Sequence, residues 1–235
     1  MPVYQIVQAP SHLGLRAPGV EALPGALLDA GLAERLGARP GERLAAPAFD
    51  PEIDPGTGLL NPHGLRGHAS RLADAVGAVL DHGAFPIVLG GDCTILLGIT
   101  LALRRRGRSG LLFLDGHADF YQPEAEPAGE AASMELALVT GRGPELVTNL
   151  EGRRPLLRDE DVVVFGFRDA EHAAAEGSQP LPPARRRARG PTTDPSPGWR
   201  AAAAGFPRRR LVRRRGTRTP PRPRRAAAGA GPQGS

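Results

Sequence analysis

Asp115, His117 and Asp119 carry the clearest chemical signal in this chain. They close the apolar run Leu111-Leu112-Phe113-Leu114, within Asp115-Gly116-His117-Ala118-Asp119. The run reads as a buried parallel strand. Side chains alternate along a strand, so three donors at alternate positions project to one side where the extended geometry persists. Open α/β folds place their chemistry at the carboxyl ends of parallel strands. Two carboxylates and an imidazole converging there suit a divalent cation that favours oxygen and nitrogen, with manganese the first candidate. The plainer alternative is that the aspartates cap a helix and the histidine only hydrogen-bonds.

A second segment strengthens the metal reading. Phe85-Pro86-Ile87-Val88-Leu89-Gly90-Gly91-Asp92-Cys93-Thr94 is another strand running into a turn. Ile87 to Leu89 are β-prone, and the paired glycines permit a tight turn. Asp92 and Thr94 are suited to start the helix that Ile95-Leu96-Leu97-Gly98-Ile99 continues. One helix between two strand ends about twenty residues apart is a βαβ crossover, which sets the two strands parallel and brings their tips near one another.

The pair Gly90-Gly91-Asp92-Cys93-Thr94 and Asp115-Gly116-His117-Ala118-Asp119 resembles the ureohydrolase superfamily, which comprises arginase, agmatinase and formiminoglutamase. The family pattern is Gly-Gly-Asp-His-Ser followed by Asp-Ala-His-x-Asp. Gly19-Val20-Glu21 with Ala30-Gly31-Leu32, Ser133-Met134-Glu135-Leu136-Ala137, and Asp161 to Asp169 with its Gly166-Phe167-Arg168 ending are similar to further family segments. The likeness spans roughly residues 1–180. It implies an α/β, arginase-like three-layer fold with a central parallel sheet, incomplete at its C-terminal end. It also implies two manganese ions, of which one or none is retained here. By the same resemblance Asp115 bridges both ions, and His117 and Asp119 ligate one each. The ions would activate water against a guanidinium or formimino carbon. The implied substrates are arginine, agmatine or formiminoglutamate, and the implied assembly is a homo-oligomer. Tyr121 and Gln122 follow the ligand loop where the family meets the amino-acid part of its substrate. Ordinary loop packing explains them equally well.

Three departures from the pattern bear on chemistry. Cys93 stands where the family supplies a histidine ligand, and a thiolate is a softer donor, better suited to zinc than to manganese. Read without the motif, Cys93 is simply a small buried hydrophobe. Ala132 stands where many arginases carry a proton-moving histidine. The family's later Asp-x-Asp and its further glutamate have no counterpart after Asp169, so the chain's activity is in question.

Charge divides the chain in two. Of 235 residues, 30 are basic and 25 acidic, a net charge of +5. Half of the basic residues and one acid, Asp194, fall at 183–235; the first 182 residues are net acidic. Residues 1–182 are thus expected to form the ureohydrolase-like domain. Residues 183–235, rich in Arg, Pro and Ala and without apolar periodicity, are expected to be a disordered tail. The chain has no lysine, which points to a GC-rich coding sequence, and out-of-frame reading of such DNA yields Arg, Pro, Ala and Gly. A frame change near residues 182–186 is therefore expected.

A basic arm can grip phosphates, but Trp199 and Phe206 are its only stacking residues, so an Arg-tailed nucleic-acid binder is the weaker alternative. A non-catalytic binding or scaffold relative is the other. One cysteine excludes an internal disulfide and fits a reducing, cytoplasmic setting; no apolar run of ~18 residues predicts a membrane span.

The remaining elements must hold these residues in place. Strands are expected at Val3–Val7, Pro86–Leu89, Leu111–Leu114 and Asp161–Phe167. Helices are expected over 20–36, stopped by Gly37, and over 65–80, 95–106 and 130–140, with loops over 45–62 and 121–129. Alternating strands and helices argue for a parallel sheet. His12, His63, His68, His82 and His172 fit no ligand spacing and read as surface or helix-end residues.

Overall fold

The computed structural model describes residues 2–45 and 48–182. The expected disordered tail and the frame change both lie outside the described residues. Four strands form, all paired in parallel: β1 (Tyr4–Ala9) with β2 (Phe85–Gly90), and β3 (Leu111–Leu114) with β4 (Val162–Phe165). The helices are α1 (Leu23–Asp29), α2 (Leu32–Leu36), α3 (Pro62–Asp81), α4 (Ile95–Arg106), α5 (Glu135–Val139), α6 (Glu145–Thr148) and α7 (Ala170–Ala175). No helix among the described residues is long and apolar enough to cross a membrane.

The α/β class and the parallel pairing match expectation. The sheet differs in continuity, because β1–β2 and β3–β4 are separate two-stranded sheets and β2 is not bonded to β3. Each pair has its own tie. The other edge of β1 is covered by residues 39–44, with Ile6 N donating to Arg39 O at 3.0 Å and Gln8 N to Glu42 O at 2.8 Å. At the start of the second pair, Arg108 binds Asp161 through two 2.8 Å contacts and Glu160 at 2.9 Å. One face of β3–β4 packs Val162 and Val164 into the core. The other presents Leu112, Leu114, Val163 and Phe165 to solvent, so the run Leu111–Leu114 is a half-exposed strand rather than the buried one expected.

Helix α3 starts at Pro62, where a missing N–H costs nothing, and buries Leu65, Ala69, Leu72, Val76 and Val79 at helical spacing. It packs along α4, and Gly98 makes the close approach possible: a Cβ there would sit 2.7 Å from Leu72 Cβ and 2.9 Å from Ala69 O. The region 20–36 is not one helix. Gly31 takes a left-handed conformation (φ 82°) and separates α1 from α2, while Gly37 ends α2 as expected. Likewise 130–140 begins as a 3-10 turn at Ala131–Ser133 and becomes α-helical at Glu135. Both breaks come from backbone turns inside an apolar pattern that looks continuous.

His68 corrects the expectation of a surface histidine. It lies on the inward face of α3, 3% exposed, and neither ring nitrogen has a hydrogen-bond partner. Burial, helped by nearby Arg71, depresses its pKa from 6.5 to about 4. The unfolded chain binds a proton on this imidazole below pH 6.5 while the folded chain resists it. The neutral ring therefore contributes stability above pH 6.5, and that contribution is lost as pH falls toward 4. The expected size is on the order of 3 kcal/mol. Urea unfolding of the wild type and His68→Leu at pH 7 and pH 4.5 measures it: the variant should lose less stability on acidification, and parallel losses would refute the assignment.

Candidate metal centre

The turn after β2 is built by backbone contact. Gly91 passes so close to Ser11 that a Cβ at this position would overlap the Ser11 carbonyl oxygen. Glycine is therefore required by space rather than by dihedral angle. Asp92 N then donates to Ser11 O at 2.9 Å. The Asp92 side chain, 3% exposed, accepts from Gly14 N at 3.1 Å, from Thr94 N at 2.8 Å and from the Thr94 hydroxyl. Its carboxylate is committed to joining the 11–14 loop to the start of α4. The effect is to fix Cys93, the residue between Asp92 and Thr94, at the mouth of the turn.

The ligand loop after β3 is not extended. Asp115 N still pairs with Phe165 O at 3.1 Å, continuing the β3–β4 ladder. Asp115 Oδ1 then accepts from His117 N at 2.9 Å, which folds the chain back. Ala118 N donates to Asp169 Oδ2 at 3.0 Å, and Asp119 adopts a left-handed backbone with φ 44°. A non-glycine residue in that region stores strain that its surroundings must hold in place. The bend turns Asp119 inward to 8% exposure, while the His117 side chain is 72% exposed. The three donors therefore do not share one side. His117 Nδ1 stands 3.7 Å from Asp115 Oδ1, and both face the outer rim.

Inside the bend, ligand atoms of Cys93, Asp119 and Glu135 all lie within 4.8 Å of one another. Glu135, the first residue of α5, is fully buried, and its carboxylate oxygens find no hydrogen-bond partner outside the acidic cluster itself. It sits in the apolar run Met134-Glu135-Leu136-Ala137-Leu138-Val139. That placement was a legible signal, because glutamate is almost never fully buried unless paired or ligated.

Burial pushes the Asp119 carboxyl up to about 6. A hydrogen bond with the Glu135 carboxyl opposes the rise, as does the His117 charge, while the charges of Asp115 and Asp169 add to it. Glu135 is raised well above the usual carboxylate range by burial first and Asp119 second. Cys93 is exposed as a residue, yet burial of its thiol, followed by Glu135, Asp119, Asp115 and Asp92, moves its pKa upward. Asp169 is buried too; one of its oxygens holds Ala118 N, and the other has no partner.

Orphaned buried carboxylate oxygens beside a thiol and a second carboxylate fit a divalent cation. An ion there removes the repulsion that every group in the cluster imposes on the next. Tyr121 and Gln122 are placed differently. The Tyr121 hydroxyl donates to Glu176 at 2.7 Å, and Gln122 donates to Gly177 O and accepts from Gln179 N, each at 2.8 Å. Both side chains fasten residues 176–179 to the loop that follows the ligands.

Comparison with known proteins sets the chain beside arginases. A family model described as the arginase family matches residues 66–180. An arginase of Bacillus subtilis is 33% identical over 171 residues, covering 71% of this chain and 57% of that protein. An arginase of Brevibacillus brevis is 31% identical over 184 residues, covering 73% and 59%. A crystal structure of the Bacillus subtilis arginase superposes with a TM-score of 0.63 at 29% identity, over 76% of this chain and 63% of that one. Arginase from Bacillus caldovelox gives the same score and identity over 76% and 64%. The chain thus spans under two thirds of the length of the relatives it matches.

Replacing Asp92 with Ala strands the buried amides of Gly14 and Thr94. The expected loss is about 2–4 kcal/mol in urea unfolding, with faster alkylation of the chain's sole cysteine. An unchanged unfolding midpoint and alkylation rate would remove Asp92 from its role as the brace of this turn.

Proposed function

The chain belongs to the arginase family of the ureohydrolase superfamily, and from that membership we propose that it is a metal-dependent hydrolase of C–N bonds in linear amidines. The substrate class is that of arginine, agmatine or formiminoglutamate. The observation that carries the reading is the convergence of the two strand-end segments. Cys93, after β2, and Asp119, after β3, come within 4.8 Å at a site rimmed by Asp115 and His117. In this reading Asp115, His117, Asp119 and Cys93 would be the ligands. Manganese is the proposed ion for the oxygen- and nitrogen-bearing outer rim. A bound divalent cation supplies Lewis acidity and a water acidic enough to act near neutral pH.

The remaining work falls to the chain's own residues. Asp115 and Asp169 concentrate negative charge beside the ligand loop and draw a cationic amidine toward it. A planar guanidinium matches carboxylate geometry through paired hydrogen bonds, which favours this substrate over a point-charge amine. Tyr121 and Gln122 act on the far end of the substrate through the 176–179 segment that they anchor.

The test is direct. The purified full chain, stripped with a chelator and reloaded with manganese, is offered arginine, agmatine and formiminoglutamate, and release of urea or formamide is measured. Turnover of one of these, abolished by chelation and by Asp119→Asn, is the expected outcome. Full metal loading with no turnover of any would overturn the enzymatic reading and leave a non-catalytic binding relative. For Asp119→Asn, kcat/KM should fall at least ~100-fold, since the variant removes a charged ligand.

A further inference from the structure

We propose that Glu135 is a metal ligand, and that Cys93, Asp119 and Glu135 together form an inner ion position that selects a thiophilic, zinc-class cation over manganese. The inference rests on the metal-dependent reading above but concerns a residue and a selectivity which that reading does not include.

Geometry comes first. Around a tetrahedral zinc ion, a thiolate sulfur and a carboxylate oxygen lie about 3.6 Å apart, given bond lengths of about 2.3 and 2.1 Å. The three donor atoms here already lie within 4.8 Å of one another without an ion.

Burial is the second, independent observation. Glu135 is 0% exposed, and no side-chain donor from outside the acidic cluster reaches either oxygen; its nearest polar neighbour is the Asp119 carboxyl. A buried carboxylate in that condition costs several kcal/mol unless it is paired, protonated or ligated. No lysine exists in this chain. The groups facing Glu135 are Asp119, Cys93 and Asp115, all acidic. A cation is the partner that this set lacks.

Donor chemistry then selects the ion. A thiolate favours zinc-class ions strongly over manganese, whereas carboxylates alone do not discriminate in that direction. Three protein donors leave a fourth position open, as in catalytic rather than structural zinc sites. The exposure of Cys93 provides the way in. On binding, the Cys93 S–H bond breaks heterolytically: the sulfur electron pair goes to the ion and the proton to solvent. Loading therefore releases protons and strengthens as pH rises. The outer rim at Asp115 and His117, with no sulfur donor, stays with the harder ion.

Cobalt(II) reports this site directly. The metal-free full chain is titrated with cobalt, then with zinc or manganese as competitor, and the near-ultraviolet thiolate-to-cobalt charge-transfer band is followed. The expected result is a band that zinc abolishes at least 100-fold more effectively than manganese. Glu135→Gln, near-isosteric and checked by circular dichroism, should weaken cobalt and zinc binding 10- to 100-fold. Cys93→Ser should remove the band and level zinc with manganese. Cobalt binding without the band, or equal affinity in Glu135→Gln, would overturn the proposal. Glu135-independent binding with turnover sinks this inference and leaves the hydrolase reading intact. Glu135-dependent zinc binding without turnover does the reverse.

Discussion

Negative charge packed against negative charge is the constraint on which this structure depends. Asp115, Asp119 and Glu135 gather around one thiol at the ends of β2 and β3, with Asp169 acting on Asp119. Asp119, Glu135 and Asp169 are buried there. Such an arrangement is costly in any folded protein. It persists only where the surrounding scaffold over-determines it and where protons or a cation offset it. Every notable feature near the site serves one of these two conditions.

The scaffold's part is local and covalently economical. Asp92 spends its carboxylate on three donors and so cannot join the charged cluster as a ligand. Gly91 lets the turn press on Ser11, and the 11–14 loop is thereby locked to the start of α4. On the other strand, Asp169 receives Ala118 N and Asp115 receives His117 N, and these two bonds hold the bend that turns Asp119 inward. Thus some acids act as braces so that others can act as donors. Elsewhere in the core, α3 and α4 pack closely across Gly98.

Much of this was legible in the sequence, for identifiable reasons. The four strands and the two long helices announced themselves because apolar period and length agree over each of them. The two strand-end segments were legible because few other arrangements explain polar donors immediately after apolar runs. The break at Gly31 was not, since one left-handed residue interrupts a helical pattern without altering its composition. His68 was misplaced because imidazole is intermediate in polarity, and only the packing of α3 against its neighbours decides its burial. The division into two sheets was equally hidden: parallel strands reveal direction through their crossovers but not which edges bond.

Glu135 exposes the deeper limit of motif reading. Asp-x-His-x-Asp encourages the view that one strand supplies the whole donor set, because alternate residues share a face. That holds only while the backbone stays extended. Here φ at Asp119 is positive, the loop bends, and the set divides into a rim (Asp115 and His117) and a floor (Asp119). The floor then needs partners from elsewhere in the chain, which α5 and the β2 turn provide as Glu135 and Cys93. A thiolate at Cys93 brings a negative charge that an imidazole in its place would not, and the buried carboxylate of Glu135 stands beside it. Two such charges are tolerable together around a cation that both can bind, so the departure at Cys93 and the burial of Glu135 bear on the chemistry of a single ion site.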